Sequence, residues 1–221
     1  MLTKNSPDFI VFDLETQRDF QSVGGRAYID ELKVSVGVLW DSKENKMFTY
    51  REQDIEELID KIFKADLILG FNHIYFDFEV LSGYRIKKDR KQFLSKLKQL
   101  NNLDLMLDIR QNTGHRVSLD SLVGPTLGHS KTADGLAALT WYKNFCETGD
   151  EEYMQKIISY CQKDVELTRD LYLEGLKHGK ILHSSKNGDI RWIKVNWAKN
   201  KYAPIVEEEN KPEDETQLNL F

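Results

Sequence analysis

The chain has 221 residues, 40% of them hydrophobic, which is enough for one well-buried domain with little left for a second. It has no apolar run of membrane-spanning length, and its first residues, MLTKNSPDF, lack the apolar core of a secretion signal. Its two cysteines, Cys146 and Cys161, show neither metal-type nor redox-type spacing. We therefore expect a cytoplasmic protein without a membrane partner.

The formal net charge of −5 is unevenly distributed along the chain. From Glu207 onward six acids stand against one base, Lys211, so this tail accounts for the whole net charge. The preceding part is formally neutral and can carry a local basic surface. The composition predicts a single domain over residues 1–203 and an acidic, disordered tail over 204–221.

The first predicted strand, FIVFDLET at 9–16, is an apolar run that ends in two acids. Side chains alternate along a strand, so Asp13 and Glu15 leave the same face and can converge on one point. Carboxylates this close repel each other unless a divalent cation or water separates them. The pattern fits a cation site or a strand end that faces water, and alone it favours the second.

The next stretch predicts strands over 33–40 and 46–50, an amphipathic helix over 54–64 and an apolar strand over 65–71. A short strand that is apolar throughout is typical of a central position in a sheet covered on both faces. Three strands, a helix and a buried strand indicate an α/β fold.

The segment GFNHIYFD at 70–77 runs from this strand into a new helix. Asn72 suits a cap or turn at the junction, and Asp77 would lie in the first turns, where the helix dipole favours an acid. From Arg85 to Lys98 seven bases then stand against one acid. Such a run is usually a solvated helix face, but it is also a candidate for contacting phosphates.

The remainder of the chain alternates short elements with helices. We predict a strand or extended segment over 103–109, in which Asp104 and Asp108 are either further site acids or, as we favour, capping and surface residues. Helices are predicted over 118–127 and 137–145, with a polar loop over 128–135 between them.

A long helix is predicted over 151–177, followed by a β-hairpin over 181–197 around Asn187-Gly188. Within the helix, Tyr160 and Asp164 are four residues apart and project from the same side. A tyrosine at this spacing, taken alone, is more typical of a core position. The five histidines form no ligand-spaced cluster, so a zinc site is not predicted.

Three motifs stand in order along the chain: Asp13-x-Glu15, Gly70-x-Asn72-x-x-x-Phe76-Asp77 and Tyr160-x-x-x-Asp164. Together they resemble the three exonuclease motifs of the DEDD superfamily of 3′–5′ exonucleases, over roughly residues 8–175. With its tyrosine, the third motif resembles that of the DEDDy branch, which includes proofreading domains of family B DNA polymerases. The histidine branch has a His five residues before the last acid, where this chain has Ser159.

The resemblance implies a ribonuclease H-like fold, in which helices flank a mixed five-stranded sheet, here followed by the C-terminal β-hairpin. It implies that two Mg²⁺ or Mn²⁺ ions bind four carboxylates: Asp13, Glu15, Asp77 and Asp164. Tyr160 would orient the attacking water. Leu14 and Thr16 would hold the terminal nucleotide, and Asn72 and Phe76 would contact the single strand.

The implied activity is removal of nucleoside monophosphates from a single-stranded 3′ end, with DNA favoured as the substrate. One alternative is an exoribonuclease of the same fold, since 2′-hydroxyl contacts are not visible in these motifs. Another is a non-catalytic adaptor that binds nucleic acid or a sliding clamp. The presence of all four acids and the tyrosine argues against the adaptor.

The last five residues are Gln217-Leu218-Asn219-Leu220-Phe221. They resemble the Gln-Leu-x-Leu-Phe peptide by which bacterial replication and repair proteins bind the sliding clamp. Apolar anchors on an acidic tether suit such a role. The alternative is a terminal segment that docks on its own domain. Clamp binding through Gln217, Leu218, Leu220 and Phe221 would favour a DNA substrate.

Overall fold

The computed structural model describes residues 8–128 and 135–200. The strands are β1 (Phe9–Thr16), β2 (Val34–Asp41), β3 (Lys46–Arg51), β4 (Leu67–Gly70), β5 (Asn102–Asp104), β6 (Lys180–Ser184) and β7 (Ile190–Lys194). The α-helices are α1 (Ile55–Lys64), α2 (Asp77–Ser82), α3 (Lys87–Gln99), α4 (Leu105–Thr113), α5 (Asp120–Leu127), α6 (Gly135–Thr148) and α7 (Glu151–His178). Short 3₁₀ segments span Arg26–Glu31, Glu52–Asp54 and Trp197–Lys199. The terminal peptide and most of the predicted polar loop lie outside the described residues.

The main sheet has five strands in the order β3-β2-β1-β4-β5. The first three strands form an antiparallel meander, whereas β4 and β5 run parallel to β1. Helices cover both faces, and β6 pairs with β7 in a separate antiparallel hairpin. This confirms the predicted mixed five-stranded α/β fold and the C-terminal hairpin.

The alternation of β1 divides the core between two faces of the sheet. Phe9 and Val11 pack in the cluster that includes α7, whereas Ile10, Phe12 and Leu14 pack in the cluster that includes α1, α2 and α3. Both sets are almost fully buried. By the same period of two, Asp13 and Glu15 continue the α7 face of the strand.

Helix α7 lies against β1 and β2 and leads into the hairpin. The Asp150 carboxylate caps its first turn by accepting from Glu152 N at 2.9 Å. Near its other end, a Cβ at Gly175 would lie 2.2 Å from Trp197 Cζ3, so only glycine allows this approach of the tryptophan ring. Trp197 Nε1 also donates to Asp108 Oδ2 at 2.8 Å, which ties the end of the hairpin to α4. Among the described helices, none is long and apolar enough to cross a bilayer.

The predicted extended segment over 103–109 is wrong from Leu105 onward. Strand β5 ends at Asp104, and α4 begins at Leu105. The cause is a cap: the Asp104 carboxylate accepts from Leu107 N at 3.2 Å. Leu105, Met106 and Ile109 are then buried by the helix, although the alternation of Leu105, Leu107 and Ile109 would also have suited one face of a strand.

Candidate active site

Asp13 and Glu15 lie near the end of β1, where its pairing with β2 becomes irregular. The register shifts between Glu15 and Thr16, and both acids are only partly buried. Irregular pairing at the end of a strand interrupts the ladder and is common next to active sites, where it redirects side chains. The strand therefore presents two carboxylates at its open end, on the side covered by α7.

Asp77 reaches the same end of the sheet because β4 is parallel to β1. The register pairs Val11 with Leu69, so β4 ends beside the residues that precede Asp13. The chain then turns through Asn72, whose φ of 71° is left-handed and tolerated by asparagine, and α2 begins at Asp77. Asp77 is 2% exposed.

The turn between β4 and α2 is held by Asp104 at the end of the neighbouring strand. Its carboxylate accepts from Asn72 N at 2.9 Å and from Ile74 N at 3.1 Å, in addition to capping α4. His73 is fully buried beside it, and burial lowers the pKa of His73, which keeps the imidazole neutral. The predicted capping role of Asp104 is confirmed, and the same side chain positions the turn that carries Asp77.

Asp164 comes from α7, where it is 7% exposed. One turn earlier, the Cys161 thiol lies 3.4 Å from the main-chain oxygen of Asp13 and 3.7 Å from Asp13 Oδ2. Cys161 thus forms a direct contact between α7 and the acidic end of β1. The sequence assigned this cysteine no role, and only its position directly after Tyr160 could have drawn attention to it.

These acids surround one cavity of about 440 Å³, which we call the acidic cavity. Seven of the predicted site residues line it: Asp13, Leu14, Glu15, Thr16, Phe76, Asp77 and Asp164. Asn72 lies instead in a neighbouring groove. Tyr160 is 6% exposed, and its ring packs edge-on against Trp141 at 6.3 Å between centroids. The predicted clamp-binding residues lie outside the described part of the chain.

The electrostatics of the cavity favour a cation. Burial, followed by the charge of Asp13, raises the pKa of Asp77 well above its ordinary value. Burial and the same carboxylate also raise the pKa of the Cys161 thiol, so the thiol stays protonated and donates. Oδ1 of Asp77 is buried without a hydrogen-bond partner. A buried acceptor without a donor, among other carboxylates, fits a hard, oxygen-preferring ion.

Arg18 and Phe20 also line the acidic cavity and were missed from the sequence. They lie in the loop that follows β1, and Arg18 Nη1 donates to the main-chain oxygen of Glu31 at 3.3 Å. Phe20 meets Phe76 edge-to-face at 6.1 Å between ring centroids, so the two rings form part of one wall. The only signal for them was their place directly after Asp13-x-Glu15.

A family model described as the RNase_H superfamily matches residues 10–174. The match spans well over half of the chain, which therefore belongs to the RNase H superfamily. Membership supports a nuclease-type enzyme that acts on nucleic acid and uses divalent metal. Among curated proteins, no sequence matches the chain significantly.

The fold is similar to a solved family B DNA polymerase from the hyperthermophilic archaeon Pyrobaculum calidifontis, with a TM-score of 0.52 and 17% identity. The similarity covers 77% of this chain but 25% of the polymerase chain. The chain thus spans about a quarter of that polymerase, and at this identity the likeness concerns the fold alone.

Proposed function

We propose that the chain is a 3′–5′ exonuclease of the DEDDy type that releases nucleoside monophosphates from single-stranded 3′ ends, with DNA preferred over RNA. One observation carries the proposal: four carboxylates that are up to 151 residues apart line a single cavity, contributed by β1, α2 and α7. Chance clustering of acids from three separate elements is costly, because their charges repel one another.

Two Mg²⁺ or Mn²⁺ ions are the proposed cofactors, with Asp13, Glu15, Asp77 and Asp164 as their ligands. Oxygen ligands of this kind suit hard divalent ions, and the buried Asp77 Oδ1 has an acceptor position to fill. When bound, such ions supply Lewis acidity to the phosphodiester and to the oxygen that leaves it. The thiol of Cys161, which donates towards Asp13, would hold the orientation of that carboxylate.

The remaining wall of the acidic cavity suits the terminal nucleotide. Its volume of about 440 Å³ is within the range of about 300–1,000 Å³ typical of small-ligand sites. Phe76 offers an aromatic face to a base, and aromatic stacking tolerates any base, while Leu14 adds an apolar contact in the cavity lining. We assign Thr16 to the same nucleotide, Asn72 to the strand that follows it, and Tyr160 to the orientation of the attacking water.

The primary test is digestion of a 5′-labelled oligonucleotide with Mg²⁺, with Mn²⁺ and with EDTA. A ladder that shortens one nucleotide at a time from the 3′ end, and that EDTA prevents, is the expected result. Asp13→Ala should abolish the ladder while its circular dichroism remains that of the wild type. Asp120→Asn, which changes an exposed acid on α5, is the matched control and should digest normally. An unchanged ladder with Asp13→Ala would eliminate the proposed site.

Matched DNA and RNA strands decide between the two substrates. Faster digestion of DNA is expected, whereas digestion of RNA alone would make the protein an exoribonuclease. Calorimetric titration with Mn²⁺ addresses the adaptor alternative. The exonuclease should bind Mn²⁺ at the four carboxylates, whereas a non-catalytic adaptor would bind nucleic acid without needing the metal.

Clamp binding by Gln217, Leu218, Leu220 and Phe221 belongs to the same proposal, as does the division into a domain over 1–203 and a tail over 204–221. The support is the terminal pattern QLNLF behind six acids. A pull-down with a bacterial sliding clamp should succeed with the full chain and fail after removal of residues 217–221. Retention after this deletion would refute the assignment.

A further inference from the structure

A second groove, which we call the arginine groove, lies beside the acidic cavity. It has a volume of about 440 Å³, and its lining includes Arg26, Asn72, Tyr75, Arg110 and Arg116. These residues come from the 3₁₀ segment after β1, the turn before α2, and the end of α4 with the loop that follows it. No sequence motif connects the three arginines.

The arginine groove adjoins the acidic cavity through neighbouring lining residues. Asn72 in the groove belongs to the same turn as Phe76 in the cavity. The guanidinium carbon of Arg26 lies 5.6 Å from the ring centroid of Phe20, which lines the cavity. A chain molecule that leaves the cavity past Phe20 and Phe76 therefore enters the groove next.

The charge of the arginine groove is available to a ligand. Arg26, Arg110 and Arg116 are exposed, and none forms an ion pair with any residue within 8–128 or 135–200. The one acid in the groove lining, Glu79, accepts from Lys98 Nζ at 2.8 Å, so a base offsets its charge. Guanidinium groups match phosphate oxygens in geometry as well as in charge.

The groove also exposes an aromatic face. Tyr75 is 54% exposed, an unusual position for a ring, and it lies between the turn residue Asn72 and Phe76. An exposed ring next to several cations is the combination by which proteins bind single strands, with bases stacked on rings and phosphates on cations. A duplex would keep its bases stacked on each other and leave Tyr75 unused.

We infer that the arginine groove binds the phosphodiester backbone of a single strand upstream of its 3′-terminal nucleotide, and that the preferred substrate is therefore a single-stranded polynucleotide several nucleotides long. The inference rests on the proposed function, because the acidic cavity sets where the 3′ end lies. Arg110 and Arg116 contact phosphates, and Tyr75 stacks on a base between them and the cavity.

The test compares substrates that fill the cavity alone with substrates that also fill the groove. The first are the p-nitrophenyl ester of thymidine 5′-monophosphate and a dinucleotide, and the second are oligodeoxynucleotides up to about sixteen nucleotides long. For the wild type, KM should fall with length until the groove is filled. For the double variant Arg110→Ala/Arg116→Ala, KM should rise about tenfold or more on long strands and stay unchanged on the ester.

Two further variants provide controls. Lys64→Ala removes an exposed cation beside Asp8 and Ile10, at the opposite end of β1 from the acidic cavity, and should leave the length dependence intact. Arg110→Lys/Arg116→Lys keeps the charge without the planar guanidinium and should recover part of the lost affinity. Thermal melting of each variant shows whether a loss comes from binding or from folding.

Fluorescence anisotropy of a labelled single strand, measured in EDTA, separates this inference from the proposed function. If the wild type hydrolyses neither ester nor oligonucleotide but the arginine variants still weaken binding about tenfold, the exonuclease proposal fails, and single-strand binding by the groove stands without its assignment to the 3′ end. If the ester and the oligonucleotides are hydrolysed with an unchanged length dependence in the double variant, the groove is overturned and the exonuclease stands. Equal, arginine-dependent binding of a blunt duplex would overturn the assignment to single strands.

Discussion

Helix α3 and the arginine groove both carry positive charge, but they use it differently. The run around α3 has seven bases within fourteen residues and is evident from the sequence. Three of these bases form ion pairs within the fold, namely Arg85 with Glu56, Arg90 with Asp30 and Lys98 with Glu79. The three arginines of the groove come from separate segments and form no ion pair with a described residue. A dense run of bases therefore overstates the free positive charge that it carries, because three of its seven bases are paired.

The physical cause is packing. Helix α3 lies against α2, and the basic run meets one acid from each of three elements: Glu79 of α2, Asp30 of the 3₁₀ segment and Glu56 of α1. The Arg90 and Asp30 side chains are only 28% and 21% exposed, so their pair is partly desolvated and structural. The prediction that this run contacts phosphates stays a prediction, now concentrated on its lysines Lys87, Lys88, Lys91 and Lys96.

The comparison of the two basic regions assumes that the acidic cavity beside the groove is the reactive site. Asp13→Asn tests this assumption and has the largest expected effect. The change keeps the size of the side chain and removes its charge. Activity on a single strand should fall at least about a thousandfold, beyond the ten- to hundredfold typical of residues outside the ligand set. A loss of only about a hundredfold or less, measured as 3′-nucleotide release, would contradict a role for Asp13 as a ligand.

Salt dependence tests the contrast itself. Each phosphate contact on a single strand contributes about 0.7 to the slope of log affinity against log salt. Arg110→Ala/Arg116→Ala should therefore lower the slope by about 1.4, if each arginine makes one contact. Lys88→Ala/Lys91→Ala removes equal charge from α3 and should change the slope by less than half as much. The reverse order, measured by anisotropy titrations, would make α3 the main binding surface.

The next prediction concerns a buried acid instead of an exposed base. Asp77→Asn tests the consequence of the raised pKa of Asp77. Because the native pKa lies above that of the unfolded chain, the native protein holds a proton that the unfolded chain releases. The metal-free protein should thus gain stability as the pH falls from neutral towards about 4, and lose it as the pH rises through the native pKa. Asp77→Asn should remove this dependence and raise the Tm at neutral pH by about 2–8 °C.

The same variant should lose most of the stabilisation that Mn²⁺ gives to the wild type, because one proposed ligand is gone. Calorimetric melting at several pH values, with and without Mn²⁺, measures both effects. A Tm of the metal-free variant that falls at neutral pH, or that keeps the wild-type pH dependence, would show that Asp77 is ionised without cost.

The smallest expected effect belongs to Arg90→Met in α3. The change breaks the partly buried pair with Asp30 and should cost about 1–2 kcal/mol of unfolding free energy. Binding of a single strand should stay within about twofold of the wild type, since this charge already has a partner. Urea denaturation and anisotropy provide the two readouts. Unchanged stability together with weakened binding would show that Arg90 binds the strand and does not stabilise the fold.

The identity of the acidic site residues could be predicted from the sequence. The acids Asp13, Glu15, Asp77 and Asp164 could be selected from three ordered motifs, and the structure lines one cavity with all four. Asp104 was assigned to capping, and it also holds the turn before α2. Arg18, Phe20 and Cys161 escaped selection, because each contributes through a neighbour in space and none belongs to a recognisable pattern.

The sequence by itself determined the elements whose signals are local: β1 by its apolar run, α7 by its helical periodicity, and the hairpin by Asn187-Gly188. Only the tertiary structure decided that the parallel pairing of β1 with β4 brings the start of α2 to the acids of β1, and which bases are paired with acids. The reason is that periodicity and turns depend on residues a few positions apart. Ion pairing and the convergence of a site depend on the long-range packing of whole helices and strands.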